Sequence, residues 1–251
     1  MQKSFQPTAV KLKDNYKYVS DIYDQLMEKV DYKFWANYIK KLSSLYIRRN
    51  SRVLEVAAGN CNLAKYLSDY FSFYVASDIS ISMLKKNKSK NLNKVCCDMT
   101  SLPFKTHFDL VICAFDSLNY LTNKKTIAGF FVEIKNVLSE QGIFLFDAAL
   151  ERNSYKHQKY AIKKGKQNGV LFNRQSLYLH KSGIHKNIFE IIYPDGSKMK
   201  EIHRQKIYPL EFYFELLDKC GLYVVECFNA FTFRNCKSND LRAQFVVKRK
   251  Y

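Results

Sequence analysis

The stretch Ser51-Arg-Val-Leu-Glu-Val-Ala-Ala-Gly-Asn-Cys61 constrains this chain most. Arg52 to Val56 reads as a short buried strand that breaks into a turn of small residues. A helical pattern, Asn62 to Tyr70, follows at once. Strand, small-residue turn and helix start bring backbone N–H groups and a helix N-terminus against a ligand. Ala57, Ala58 and Gly59 leave room for a nucleoside-bearing ligand to lie almost on the backbone. Asp78 ends a second apolar run, Phe73 to Ser77. It falls about 20 residues past the turn, where such folds place a carboxylate for ribose hydroxyls.

Strand and helix patterns alternate from there. Strands are expected near 52–56, 73–77, 94–97, 108–114 and 143–147. Helices are expected from Asn62, from Ser80 to Asn87, and from Lys124 to Leu138 with a stop at Gly142. Repeated βαβ units with short connections imply a parallel sheet. After Leu150 the pattern becomes antiparallel, with strand-like segments at 170–172, 176–179, 186–193 and 199–208. Pro194-Asp195-Gly196-Ser197 is a hairpin turn between the last two. The parallel pattern then resumes with a helix from Pro209 to Cys220 and strands at 222–228 and 244–248. Ahead of the first strand, residues 1–14 read as a polar, loosely held start. Residues 15–45 follow with two helical stretches, the second capped by Asp31 and carrying Phe34, Trp35 and Tyr38. These dense aromatics suggest a lid that excludes water. The fold class read here is therefore α/β: a Rossmann-like, mostly parallel seven-stranded sheet with helices on both faces. The organisation is a lid at 1–45, a core at 46–150 and 209–251, and an antiparallel insertion at 151–208 over the substrate site.

Composition narrows the setting. With 251 residues and 47% hydrophobic content the chain can bury a full core. No run reaches the length of a membrane span, and the first residues lack a signal-peptide apolar core. The seven cysteines form no C-x-x-C pair, which favours buried thiols in a reducing cytoplasm over disulfides or a metal. The net charge of +18 raises RNA as a partner. The lysines are spread along the chain, however, which favours a solvated surface. Nothing in the sequence sets an oligomeric state.

With these residues in view, the chain resembles class I S-adenosylmethionine-dependent methyltransferases over nearly its whole length. Val53 to Leu63 is similar to the family's nucleotide-loop motif. Ser77-Asp78-Ile79-Ser80 with Met83-Leu84 is similar to the ribose motif, and Cys97-Asp98-Met99 with Leu102-Pro103 to the adenine motif. Phe108 to Val111 with Asp116 to Leu121 resembles the fourth-strand motif, and Gln141 to Asp147 the fifth. The Tyr23-Asp24-Gln25-Leu26-Met27 element and the antiparallel insertion resemble a small-molecule branch whose layout glycine and amino-sugar N-methyltransferases share.

The resemblance implies S-adenosylmethionine as cofactor and S-adenosylhomocysteine as its product. It implies that Ala57 and Gly59 approach the methionine moiety and that Glu55 orients the loop and the donor's amino group. Asp78 would take the ribose hydroxyls, Ile79 and Met83 the adenine, and Asp98 the exocyclic amine, with Cys97 and Met99 beside it. Cys61 stands where the family usually has glycine, and its side chain is expected to crowd the methionine portion. Past the strand ends, Ala114, Asp116, Asn119 and Asp147 are expected near the ligands. Tyr23, His203 and Arg204 are expected to face the same space, with Tyr23, Asp116 and His203 as the catalytic candidates. The leading function is methyl transfer to a nitrogen or oxygen of a small-molecule acceptor. Methylation of tRNA or rRNA stays open on the charge, although Ala114-Phe115-Asp116-Ser117 is not the Pro-Pro motif that clasps a base amine. A catalytically degenerate cofactor-binding protein stays open on Cys61.

Overall fold

The computed structural model describes residues 14–250. The expectation for the N-terminal start therefore falls almost wholly outside the described residues.

The chain enters through a 3-10 turn at Val19–Asp21, then α1 (Tyr23–Leu26) and α2 (Tyr32–Ser43). The Asp31 carboxylate accepts from the Phe34 N–H at 2.8 Å and caps α2 as expected. The first βα units follow as β1 (Arg52–Glu55), α3 (Ala64–Leu67), β2 (Phe73–Asp78), α4 (Ile81–Leu84) and β3 (Asn93–Cys96). Then come β4 (Phe108–Cys113), α5 (Lys124–Val137) and β5 (Leu138–Ala149). After α6 (Glu151–Lys159), four strands form the insertion: β6 (Ile162–Gln167), β7 (Val170–Leu179), β8 (Ile184–Ile192) and β9 (Lys198–Lys206). The chain closes with α7 (Leu210–Lys219), β10 (Leu222–Asn229) and β11 (Arg242–Arg249).

The main sheet has seven strands in the order β10-β11-β5-β4-β1-β2-β3. Neighbours β3 to β5 pair parallel, and β11 runs antiparallel to both β5 and β10. The order reverses between β1 and β4, so their carboxyl ends splay apart and leave a crevice. Alternation along the central strands feeds two cores. Leu54, Val111, Phe144 and Phe146 point to one face, where α5 and α7 add Phe130, Ile134 and Tyr213. Val53, Leu110, Ile112 and Leu145 point to the other, where Trp35, Ile39 and Leu42 of α2 and Leu67 of α3 cover them. The α2 helix is thus a core helix, not part of a lid as the aromatic pattern suggested. Only the described residues ahead of it bridge to the insertion, packing Val19 and Ile22 on Phe172, Phe189 and Ile191.

The structure differs from the sequence expectation at three places. Gly142 does not end a helix: α5 runs directly into β5, and Gly142 lies within that strand. A Cβ there would stand 2.9 Å from the Phe108 carbonyl oxygen, so the close approach of β4 requires glycine. The two segments expected at 170–179 are one strand, β7. The polar α6 and β6 were not expected at all. The second sheet runs β6-β7-β8-β9, antiparallel throughout.

Candidate active site

Where β1 ends, the backbone takes the left-handed conformation at every second residue: Ala57 (φ 53°), Gly59 (φ 58°) and Cys61 (φ 59°). This alternation folds the loop into a shallow cup, pinned by backbone bonds from Ala58 N–H to Ser77 O and from Cys61 N–H to Ala58 O, both 2.9 Å. The Gly59 N–H donates to Asp78 Oδ2 at 2.7 Å. A Cβ on Gly59 would stand 3.2 Å from Met83 Cε and 3.9 Å from the Tyr23 hydroxyl. The cup therefore sits under Met83 and Tyr23, and Gly59 leaves clear the position that a Cβ would take.

Cys61 corrects one expectation. Its side chain is 0% exposed and packs among Leu63, Ala64, Leu67 and Trp35, and it does not line the cavity beside the cup. Burial pushes its thiol up to about 12. The left-handed φ is what favours glycine here, and cysteine bears that strain while filling a core position.

Asp78 lines the cavity from the end of β2. One carboxylate oxygen holds Gly59, and the other accepts from the Ser80 N–H at 2.8 Å. Burial raises its pKa, against the lowering effect of these backbone donors. Each oxygen keeps a further lone pair for a ligand hydroxyl. Ile79, Met83, Cys97, Asp98 and Met99 line the same end of the cavity. Asp98 Oδ1 is taken by the Thr100 N–H and hydroxyl, both at 2.8 Å. Glu55 and Ala114 do not line the cavity, contrary to expectation. Glu55 sits behind the loop, where its carboxylate accepts from the Tyr74 hydroxyl at 2.7 Å, and Ala114 is buried in the core under the loop.

On the acceptor side, Tyr23, Asp116 and His203 all line the cavity. Phe115 and Asp116 follow β4 with consecutive left-handed backbones (φ 61° and 50°). This swings the Asp116 carboxylate onto Arg242 Nη2 (2.6 Å) and Gln205 Nε2 (2.7 Å). Arg242 also pairs with the buried Asp147. Asn119 and Asp147 turn out to be structural. Asn119 is 0% exposed, accepts from Ala149 N–H and donates to Lys206 O, both at 2.9 Å. Arg204 faces outward, because β9 alternation puts Glu201, His203 and Gln205 on the inner face.

His203 anchors a relay that the sequence did not reveal. Its Nε2 meets Glu201 Oε1 at 2.7 Å, and its Nδ1 meets the Tyr120 hydroxyl at 3.1 Å. The Tyr120 hydroxyl meets that of Tyr16 at 2.5 Å. Glu201 is held in turn by the N–H groups of Tyr18 (2.9 Å) and Val19 (3.2 Å). With Glu201 ionised, Nε2–H donates to it, and Nδ1 is left to accept from Tyr120. Burial raises the pKa of both tyrosines. Tyr16 and Glu201 belong to no motif, and Tyr120 lies within the fourth-strand motif without a role assigned to it. The sequence signal for the inner trio of β9 was its period-two spacing alone.

The cavity measures about 670 Å³, between the loop cup, the N-terminal segment and the inner face of the inserted sheet. The N-terminal segment is tied to the cup by Asn60 Nδ2 donating to Asp24 Oδ1 at 2.9 Å. It is tied to the insertion by the Gln25 N–H donating to Gln167 Oε1 at 2.8 Å.

Residues 54–146 match the family of methyltransferase domains. Over 241 residues the chain is 28% identical to a protein of Geobacillus sp. (strain WCH70) named "putative methyltransferase", covering 90% of this chain and 96% of that one. It also superposes on the crystal structure of an S-adenosylmethionine-dependent methyltransferase from Clostridium acetobutylicum (TM-score 0.78, 23% identity, 94% and 99% of the two chains). The chain is an S-adenosylmethionine-dependent methyltransferase of Rossmann-like fold. Another similar fold is the sugar N-methyltransferase KedS8 from Streptoalloteichus sp. (TM-score 0.74, 18% identity, 100% of both chains).

The methyltransferase's own residues fit S-adenosylmethionine, its cofactor. The decisive observation is the cup: Gly59 leaves a space that a Cβ would fill, and the Asp78 carboxylate stands beside it. Ala57, Gly59 and Asp78 would hold the methionine and ribose parts, and Ile79, Met83 and Asp98 the base.

Proposed function

We propose that this methyltransferase methylates a nitrogen or oxygen of a small-molecule acceptor held between the loop cup and the inserted sheet. The observation that carries this reading is the cavity itself. Its volume of about 670 Å³ is in the range of about 300–1,000 Å³ usual for small-molecule sites. Its walls also come from three separate segments that tie to one another. The solved sugar N-methyltransferase of similar fold supports the same class of acceptor.

When bound, the cofactor supplies an electrophilic methyl group on a sulfonium. The chain's residues then have to align the acceptor, exclude water and take up a proton. Trp35, Phe115 and Phe231 pack with ring centroids 4.2–4.6 Å apart and close the cavity on the α2 side. Tyr16 offers the oxygen at the cavity end of the relay. A proton leaving the acceptor passes to Tyr16, from Tyr16 to Tyr120, and from Tyr120 to His203 Nδ1, while Glu201 stabilises the imidazolium that forms. Asp116, paired with Arg242 and Gln205, is better suited to fix the wall than to accept the proton. Tyr23, with its hydroxyl beside Gly59, presses on the cup.

Labelled S-adenosylmethionine incubated with the chain and a fractionated cell extract tests the reading. Label is expected in the small-molecule fraction. Label confined to the RNA fraction would refute it and favour the RNA alternative raised by the charge.

A further inference from the structure

The cavity has a second end, away from the loop cup. Its floor there is the inner face of β7 and β8, and α6 stands at its margin. Arg174 of β7, His185 and Asn187 of β8, and His157 of α6 line it. Strand alternation sets this arrangement. Phe172, Arg174 and Ser176 share the inner face of β7, and His185, Asn187 and Phe189 share that of β8.

This end carries charge without compensation. Among the described residues no carboxylate pairs with Arg174, which is half-buried. Its Nε and the Nδ1 of His185 are both shut off from solvent with no hydrogen-bond partner. Arg242, on the same cavity, differs: it is satisfied by Asp116 and Asp147. His157 and His185 lie with ring centroids 6.0 Å apart. Burial lowers both, with added repulsion from Arg174 on His157 and from His157 and Arg174 on His185, against a smaller pull from Asp116, and His185 is held at about 4. At neutral pH the region therefore presents one fixed cation and an unmet ring nitrogen on the neutral His185. Leaving a guanidinium Nε and an imidazole nitrogen out of water without partners is costly. A wall that only packed against apolar substrate would need neither.

We propose that this end of the cavity is an oxyanion subsite, in which Arg174 grips a carboxylate or phosphate group of the methyl acceptor while His185 and Asn187 complete its hydrogen bonds. The inference rests on the small-molecule reading above and narrows it: the acceptor carries an anionic group at the end opposite the methylated atom. Arg suits the task because its planar fork matches a two-oxygen anion and stays charged.

The test is calorimetric titration of the full chain, saturated with S-adenosylhomocysteine, with acetate, inorganic phosphate and neutral acetamide at constant ionic strength and pH 7. Saturable binding of acetate or phosphate, and none of acetamide, is expected. The stronger of the two anions identifies the group. Arg174→Gln should weaken that binding about tenfold or more, the loss typical of a charged hydrogen-bond donor. Arg174→Lys, which keeps the charge, should fall between. Both variants should bind S-adenosylhomocysteine within about twofold of the parent, which also shows that they fold. Absent anion binding by the parent, or equal binding by both variants, overturns the subsite. Loss of S-adenosylhomocysteine binding in both variants also overturns it and assigns Arg174 to the cofactor's own carboxylate. A parent chain that binds no S-adenosylhomocysteine brings down the methyltransferase reading as well, a result distinct from the others.

Discussion

The carboxylate of Glu55 and the hydroxyl of Tyr74 meet at 2.7 Å on adjacent strands β1 and β2, both sealed from solvent. Burial pushes Glu55 up to about 8 despite this donor. Its folded value thus lies above its ordinary value of 4.5, so the folded state holds a proton that the unfolded state releases between these limits. Stability is fully present below about 4.5 and falls as pH rises toward 8. Glu55→Gln should flatten that slope. The variant is expected to match the parent at pH 5 and to melt several degrees higher at pH 8.5, since about 1 kcal/mol moves Tm by ~2–4 °C in a chain of this size. Thermal melts at both values decide it. An equal Tm difference at the two pH values would mean that the carboxylate is ionised in the fold.

Cys61 supplies a second prediction. Its thiol is buried among core residues and stands clear of the cavity. Cys61→Gly should therefore leave S-adenosylhomocysteine affinity within about twofold of the parent. Relief of the left-handed backbone, worth ~1–2 kcal/mol, is offset by the loss of a buried side chain of similar worth. The native thiol should resist a thiol reagent until the chain unfolds. A tenfold gain in affinity on substitution would return Cys61 to the cofactor's path and revive the degenerate reading.

Why some of this was legible in the sequence and some not comes down to which residues carry a period or a motif. Val53, Leu54, Val111, Phe144 and Phe146 announce buried parallel strands because both faces are covered. The ribose and adenine ends were legible because Asp78 and Asp98 sit at fixed offsets from strand ends. The β6 strand was missed because Ile162-Lys-Lys-Gly-Lys-Gln has almost no apolar face. Yet Asn168 and Gly169, both left-handed (φ 50° and 85°), form the hairpin dipeptide that announces it. The lid was overdrawn because Trp35 serves a core and a cavity wall at once, while Tyr38 serves the core alone. Glu201, Tyr16 and Arg174 escaped notice because their partners lie on distant elements, and only tertiary packing brings them together.

The relay makes a kinetic prediction. His203→Gln should lower kcat about 10²- to 10⁴-fold, the usual contribution of a general base, while S-adenosylhomocysteine affinity stays near the parent's. Tyr120→Phe breaks the link between Tyr16 and His203 and should lower kcat with little change in the melting temperature. If the acceptor arrives as an ammonium ion, the loss should shrink as pH rises, because solvent then removes the proton that the relay would take. Rates measured across pH for parent and both variants check this. Unchanged turnover in His203→Gln would remove His203 from the mechanism.

Arg242 carries the last prediction. It pairs with Asp116 at 2.6 Å and with Asp147, the latter 1% exposed. Burial raises Asp147, and the guanidinium of Arg242 works against that rise. Arg242→Met would leave two neighbouring carboxylates without their cation, at a cost of about 3–5 kcal/mol for breaking a buried pair. Asp147 would then favour its neutral form. The loss should accordingly be greatest at alkaline pH and partly relieved under acid conditions. Replacing Asp147 by Asn in the same chain should recover part of the stability by removing the stranded charge. Denaturant melts of the single and double variants at pH 5 and pH 8 give the comparison. Strictly additive losses, equal at both pH values, would show that the ion pair does not hold Asp147 charged.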